Sequence, residues 1–306
     1  GDLERLPGCA GVKMFMGSST GDLLVWDDPS VLRVLEHGRR RVAIHAEDEE
    51  RLKERKSLAD SGNVADHPVW RDAETAIRAT TRVLALARKA GRRIHVLHVT
   101  TAEEMALLAA NRDVATVEVT PQHLTLEAPD CYERLGSFAQ MNPPIREARH
   151  RAGLWAALNA GIVDVIGSDH APHTRDEKAR TYPGSPSGMP GVQTLLPLML
   201  DHVNAGRISL ERLIDLTSAG AQRIFGIAGK GRIGVGYDAD FTVVDLKKRW
   251  LIEEGWLASH CEWSPFTGQD VTGKPVGTII RGRRVMWEGT LADTAAGAPV
   301  RFQETL

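Results

Sequence analysis

Up to about residue 225, short apolar runs alternate with longer stretches of helical period. Runs at 11–16, 41–45, 94–99, 115–120 and 163–166 carry Val, Ile and other apolar residues and are bounded by Gly, Pro or charged residues. That pattern predicts buried strands. Between them, Pro29 opens a segment with Val31, Leu32 and Leu35 on one face, closing near Gly38. Over 66–91, Ala76, Ile77, Thr80, Val83, Leu84 and Ala87 recur at helical spacing, with Gly91 as the C-terminal stop. Thr101 and Glu104 form a capping-box pattern for a helix through Ala110. Further helices are predicted up to Gly161, over 192–203 and within 209–225. Strands alternating with helices imply βα units on a parallel sheet. The five strands end near Phe15, His45, His98, Thr120 and Asp169, where a closed (β/α) barrel needs eight.

The pattern changes near Gly231. Residues 232–245 read as strand, turn and strand, and 276–285 as a hairpin around Arg281-Gly282. The expected organisation is therefore a (β/α) region over 1–228 and a small β-rich region over 229–306.

Chemistry concentrates at the predicted strand tips. The run through Val165 and Ile166 stops at Asp169, with His170 and His173 following and Pro172 preventing a helix inside the turn. Lys13, His45, His98 and Asp169 all lie on or near strand ends, where parallel α/β proteins place their sites. Imidazole and carboxylate are the ligands that a zinc-like ion takes when no thiolate is offered. Strand parity puts His98 on the face of Ile94 and Val96, and turns His95 the other way, against a helix.

Composition narrows the function classes. The chain has 306 residues, 42% hydrophobic and 25% charged, with a net charge of −2 and a pI near 6.6. Nothing there favours a nucleic-acid partner, and no apolar run reaches the ~18 residues of a membrane span. Cys9, Cys131 and Cys261 are odd in number and unclustered, which argues for a reducing, cytoplasmic setting. Residues 229–234 match a dinucleotide pattern but lead into a β-turn, so no pyrophosphate cradle is expected. Residues 17–21 match a nucleophile elbow around Ser19, with the next helix starting too late at Pro29. The Arg39–Arg41 cluster reads as a solvated helix end, the acidic run 47–50 as a solvated loop rim, and the tryptophans as packing.

Taken together, Val-Lys13-Met-Phe-Met-Gly, Ile-His45-Ala-Glu, His-Val-Leu-His98-Val-Thr, Met-Asn142-Pro-Pro-Ile-Arg and Gly-Ser-Asp169-His-Ala-Pro-His173 resemble the amidohydrolase superfamily. Within it, the chain is most similar to the long bacterial type of dihydroorotase. The resemblance implies an α/β fold: a TIM (β/α)8 barrel, here lacking about its first three strands, plus part of a small β-sandwich. It also implies zinc, one or two ions per subunit, held by His45, His98 and Asp169 and by Lys13 as a bridging carbamate. Asp169 would double as general base and acid. Asn142, His173, Ser187 and Gly188 would bind the substrate, dihydroorotate or N-carbamoyl-aspartate. The implied partners are further copies of the chain and aspartate transcarbamoylase. Two departures stand out. No His-x-His occurs anywhere in the sequence, so the chain is expected to begin mid-fold, and Gln122 stands where the family often has histidine. The alternatives are a hydantoinase- or allantoinase-type cyclic amidase, an inactive scaffold for aspartate transcarbamoylase, or a serine hydrolase using Ser19.

Overall fold

Five short strands pair in parallel and in chain order: β1 (Val12–Phe15), β2 (Val42–His45), β3 (Ile94–Val96), β4 (Ala115–Val119) and β5 (Val165–Ile166). The computed structural model describes residues 1–19, 23–295 and 297–303. The register runs Val12–Val42–Ile94–Ala115 and Lys13–Ala43–His95–Thr116, so successive rows face opposite sides of the sheet. Val42, Ile44, Ile94, Val96 and Val117 face outward and share one core with Val31, Leu35, Ala79, Val83 and Ala87 of the covering helices Asp28–Glu36 and Ala73–Ala90. The opposite face carries Lys13, Phe15, His45, His95 and Glu118, and this polar row is what the scaffold presents for chemistry.

Local sequence sets most element ends. Asp27 caps the first helix through Ser30 N, with Pro29 in its first turn. Thr101 and Glu104 make both bonds of a capping box. Gly91, at φ 64, takes the left-handed turn that ends Ala73–Ala90. The stretch 66–91 is not one helix: the turn His67–Trp70 stops at Arg71, and Asp72 caps a new start by accepting from Thr75 N. The predicted third strand is also shorter than its apolar run, because His98 takes a φ of 35.

Three other expectations are corrected. Glu47, Asp48 and Glu49 are buried, and Asp48 caps the helix Glu49–Glu54. Each buried acid has a distant partner, Arg71 for Glu47, Arg82 for Asp48 and Ser18 for Glu49, so the run is interior and only Glu50 is exposed. Residues 232–240 form turns rather than a strand, and Ile233 and Val235 are exposed. The basic cluster is solvated only in part: Arg41 donates to the carbonyls of Ile94 and Ile224.

An antiparallel sheet follows: β6 (Phe241–Leu251), β7 (Asp270–Ile280), β8 (Arg283–Trp287) and β9 (Thr290–Leu291). Arg281 and Gly282, with φ 47 and 79, make the expected tight hairpin. This sheet seats on the helix Leu195–Asn204, where Thr272 N donates to Asp201 at 2.9 Å and Asn204 to Thr272 O at 3.0 Å. A second core of Met141, Ile145, Met189, Trp263 and Phe266 lies between them and supports the loops of the candidate site. The tail returns, with Ala228 N donating to Arg301 O. Among the described residues, no helix is long and apolar enough to cross a membrane.

Candidate active site

His45 and His98 meet at the strand tips. His45 Nδ1 lies 3.1 Å from His98 Nε2, with both side chains buried and the rings edge to face. They do not meet by parity. Ile94 and Val96 face the helices, and the left-handed turn at His98 swings its ring across to His45. His95 stays on the inner face, bonded to Thr116 Oγ1 at 2.8 Å and edge-on to Phe225, the last residue of the helix Gly220–Phe225. Burial, reinforced by His45, pushes the His98 pKa well below its ordinary value, so the ring is neutral at pH 7. His98 Nδ1 is buried without a hydrogen-bond partner.

On the far side of His45, Nε2 contacts Glu47 Oε2 at 2.8 Å, and Arg71 donates to the same carboxylate through Nε at 3.1 and 3.2 Å. Lys13 is exposed on the same sheet face, its Nζ 4.5 Å above the Phe15 ring, which in turn lies 5.6 Å from the His45 ring. Asp169 stands at the tip of β5 with φ 42, and its charge reaches His123. His123 is buried, which lowers its pKa to about 4, and it bonds Thr120 Oγ1 and Pro143 O. Among the described residues, no three His, Cys, Asp or Glu side chains close on one point. Two imidazoles with adjacent nitrogens still suit a divalent ion of the zinc type, since imidazole nitrogen is among its preferred donors.

Two of the four predicted substrate residues open onto a neighbouring cleft of about 360 Å³, and His173 and Gly188 stand beside it. Asn142 and Ser187 line it with Ser18, Ser19, Trp70 and Arg71. Asn142 Oδ1 and Met141 O both lie 3.0 Å from His67 Nε2. Nε2–H therefore donates, and the Asn142 amide NH₂ is left toward Ser19 Oγ at 3.4 Å. His67 is fully buried, and burial lowers its pKa to about 3. His173 Nε2 lies 3.2 Å from Ser187 O, and its ring is half-buried beside the cleft loop. His170 lines a different hollow of about 210 Å³, with Trp263 and Gln193.

Gly188 holds the cleft loop at φ 143, with its N–H on Gln140 O. A Cβ there would meet Ala171 O at 2.7 Å and His173 Nε2 at 3.1 Å. Gly188→Ala is therefore expected to shift Ser187 and raise the substrate KM about tenfold or more, the equivalent of 1–3 kcal/mol of backbone strain. Steady-state kinetics check it, and an unchanged KM refutes it.

Lys178 lies under the same loop, fully buried, donating Nζ–H to Gln140 O at 3.0 Å and Pro186 O at 2.8 Å. Burial lowers its pKa from 10.5 to about 7. The folded state thus binds fewer protons than the unfolded one between about pH 7 and 10.5, and stability rises with pH across that window. Lys178→Met is expected to remove a slope of up to about 1.4 kcal/mol per pH unit, measured by denaturant unfolding at pH 7.5 and 9.5.

The serine-hydrolase reading finds no support in the geometry. Among the described residues, Ser19 Oγ meets only Asn142 Nδ2, and the next helix starts at Asp28. Thr20 and Gly21 of that pattern lie outside the described residues. Sequence reasoning missed Glu47, Arg71 and His67. The spacing His45-Ala-Glu47 was a usable signal, whereas nothing local marks Arg71 or His67 as buried.

Residues 31–285 match the profile described as the amidohydrolase family. The chain is 38% identical to a dihydroorotase of Halobacterium salinarum over 294 residues, covering 94% of this chain and 67% of the relative. It is 36% identical to a dihydroorotase of Pyrococcus furiosus, covering 93% and 63%. An allantoinase of Rubrobacter xylanophilus is 35% identical, at 99% and 70% coverage. Among solved structures, an L-hydantoinase of Arthrobacter aurescens superposes with a TM-score of 0.88 at 31% identity, covering 93% of this chain and 66% of that one. The chain spans about two thirds of the length of these relatives.

Proposed function

This chain belongs to the amidohydrolase family, and from that premise we propose that its protein is a dihydroorotase, opening the ring amide of dihydroorotate reversibly to N-carbamoyl-aspartate. The observation that carries the reading is the pair of buried imidazole nitrogens 3.1 Å apart, next to a polar cleft lined by Asn142 and Ser187. His45 and His98 would hold a zinc ion, with Asp169 and a Lys13 carbamate as further ligands. Such an ion supplies Lewis acidity and a water that ionises near neutral pH.

The chain's own residues do the rest. The Asn142 amide, turned by His67, offers N–H to a ring carbonyl. Ser187 and the Gly188 loop form the wall against which the ring lies, and His173 faces the substrate carboxylate. The Asp169 carboxylate takes a proton from the attacking water and delivers it to the departing amide nitrogen. In the reverse direction it returns that proton as the ring closes, which is the direction of pyrimidine synthesis. Free Cys9, Cys131 and Cys261 suit a reducing cytoplasm. Homo-oligomers and aspartate transcarbamoylase are the partners this reading names.

The test is turnover of dihydroorotate, hydantoin and allantoin by the full protein, with and without a chelator. Chelator-sensitive hydrolysis of dihydroorotate is the expected result. Turnover of hydantoin or allantoin without dihydroorotate would move the protein to the neighbouring cyclic amidases, a reading favoured by the hydantoinase superposition. Absence of any turnover, with metal bound, would favour a scaffold.

A further inference from the structure

We propose that Glu47, clamped by Arg71, is a positioning residue that fixes the tautomer and orientation of His45. This rests on the metal-binding reading above. The Glu47 carboxylate is fully buried and can only accept hydrogen bonds while it pairs with the guanidinium of Arg71. Its Oε2 lies 2.8 Å from His45 Nε2, so the imidazole proton sits on Nε2 and the lone pair on Nδ1. Nδ1 is the nitrogen turned toward His98 Nε2.

Arg71 is itself held. Its Nη2 donates to Ser18 O at 2.6 Å, and its own carbonyl accepts from Arg146 Nη1 at 2.9 Å. The carboxylate therefore stands on a frame tied to the loop after β1 and to the segment carrying Asn142. A purely structural ion pair would be complete with Arg71 alone. The additional bond to a histidine nitrogen is directional, and partners of this kind set which ring nitrogen a ligand histidine offers.

The test uses the whole chain, E47Q and E47L/R71M, with Co²⁺ as the probe. The double variant removes both charges together, so no unpaired buried ion remains. Cobalt affinity is measured by chelator competition, and the His45 tautomer by ¹⁵N NMR of the metal-free chain. E47L/R71M, folded by circular dichroism, is expected to bind cobalt about 10–100-fold more weakly and to spread His45 over both tautomers. E47Q, whose amide can turn either an oxygen or an NH₂ to the ring, is expected to fall between. Wild-type affinity and wild-type tautomer in either variant overturn the proposal. If the wild type takes up no cobalt, the metal reading falls, and the tautomer shift alone decides the role of Glu47.

Discussion

Asp169→Asn is expected to lower kcat for dihydroorotate hydrolysis by about 10²–10⁴-fold with little change in KM. The size follows from losing the proposed proton carrier, with the proposed ring contacts at Asn142 and Ser187 left in place. Asp169 holds a φ of 42, a left-handed conformation that Asn adopts as readily as Asp. The substitution therefore removes the ionisable group without disturbing the turn. Among the described residues the carboxylate has no hydrogen-bond partner, only the nearby charge of His123, so no buried network collapses with it. Asp169→Ala adds about 1–2 kcal/mol of backbone strain and should lose stability as well. Steady-state kinetics on folded protein decide the matter. Activity of Asp169→Asn within threefold of wild type would remove Asp169 from the proton transfer.

The largest stability effect is expected at Arg71. Arg71→Met should destabilise the fold by about 3–5 kcal/mol, because it strands a buried carboxylate without its counter-charge. Glu47 is 0% exposed and Arg71 2%. Burial alone would raise the Glu47 pKa, but the Arg71 charge and the hydrogen bond from His45 outweigh it and hold the carboxyl far below the usual range. A depressed folded pKa contributes stability above the unfolded value of about 4.5, lost as pH falls through the acid range. In Arg71→Met burial is opposed only by His45, so the Glu47 pKa rises and the loss of stability relative to wild type shrinks on acidification. Urea unfolding at pH 4 and pH 7 reads both effects. A change under 1 kcal/mol at pH 7 would show that the pair is not interior.

Much of this architecture is written in local signals. Period and caps located the five βα units, since Thr101 with Glu104 and Gly91 satisfy helix ends within a few residues of themselves. The Arg281-Gly282 turn was legible because a tight hairpin needs positive φ at both positions. His45, His98 and Asp169 were identifiable as residues at or just past strand ends, whereas Lys13 lies within β1 on the same sheet face as His45. The strand–turn–strand reading of 232–245 failed in its first part, where alternating Gly and apolar residues match a strand but, among the described residues, no partner strand takes the backbone bonds.

By itself, then, the sequence determined the succession of elements and which side chains stand at their tips, because both depend on contacts within one or two turns of chain. Only the tertiary structure decided what those side chains face. Glu47 reads as surface acid until Arg71, 24 residues on, arrives to neutralise it in the interior. His98 obeys strand parity until one left-handed residue turns it to His45, 53 residues away. Asn142 has no fixed orientation until His67 reaches it across 75 residues. Burial and partner identity are set by the packing of distant segments, and no period or cap encodes them.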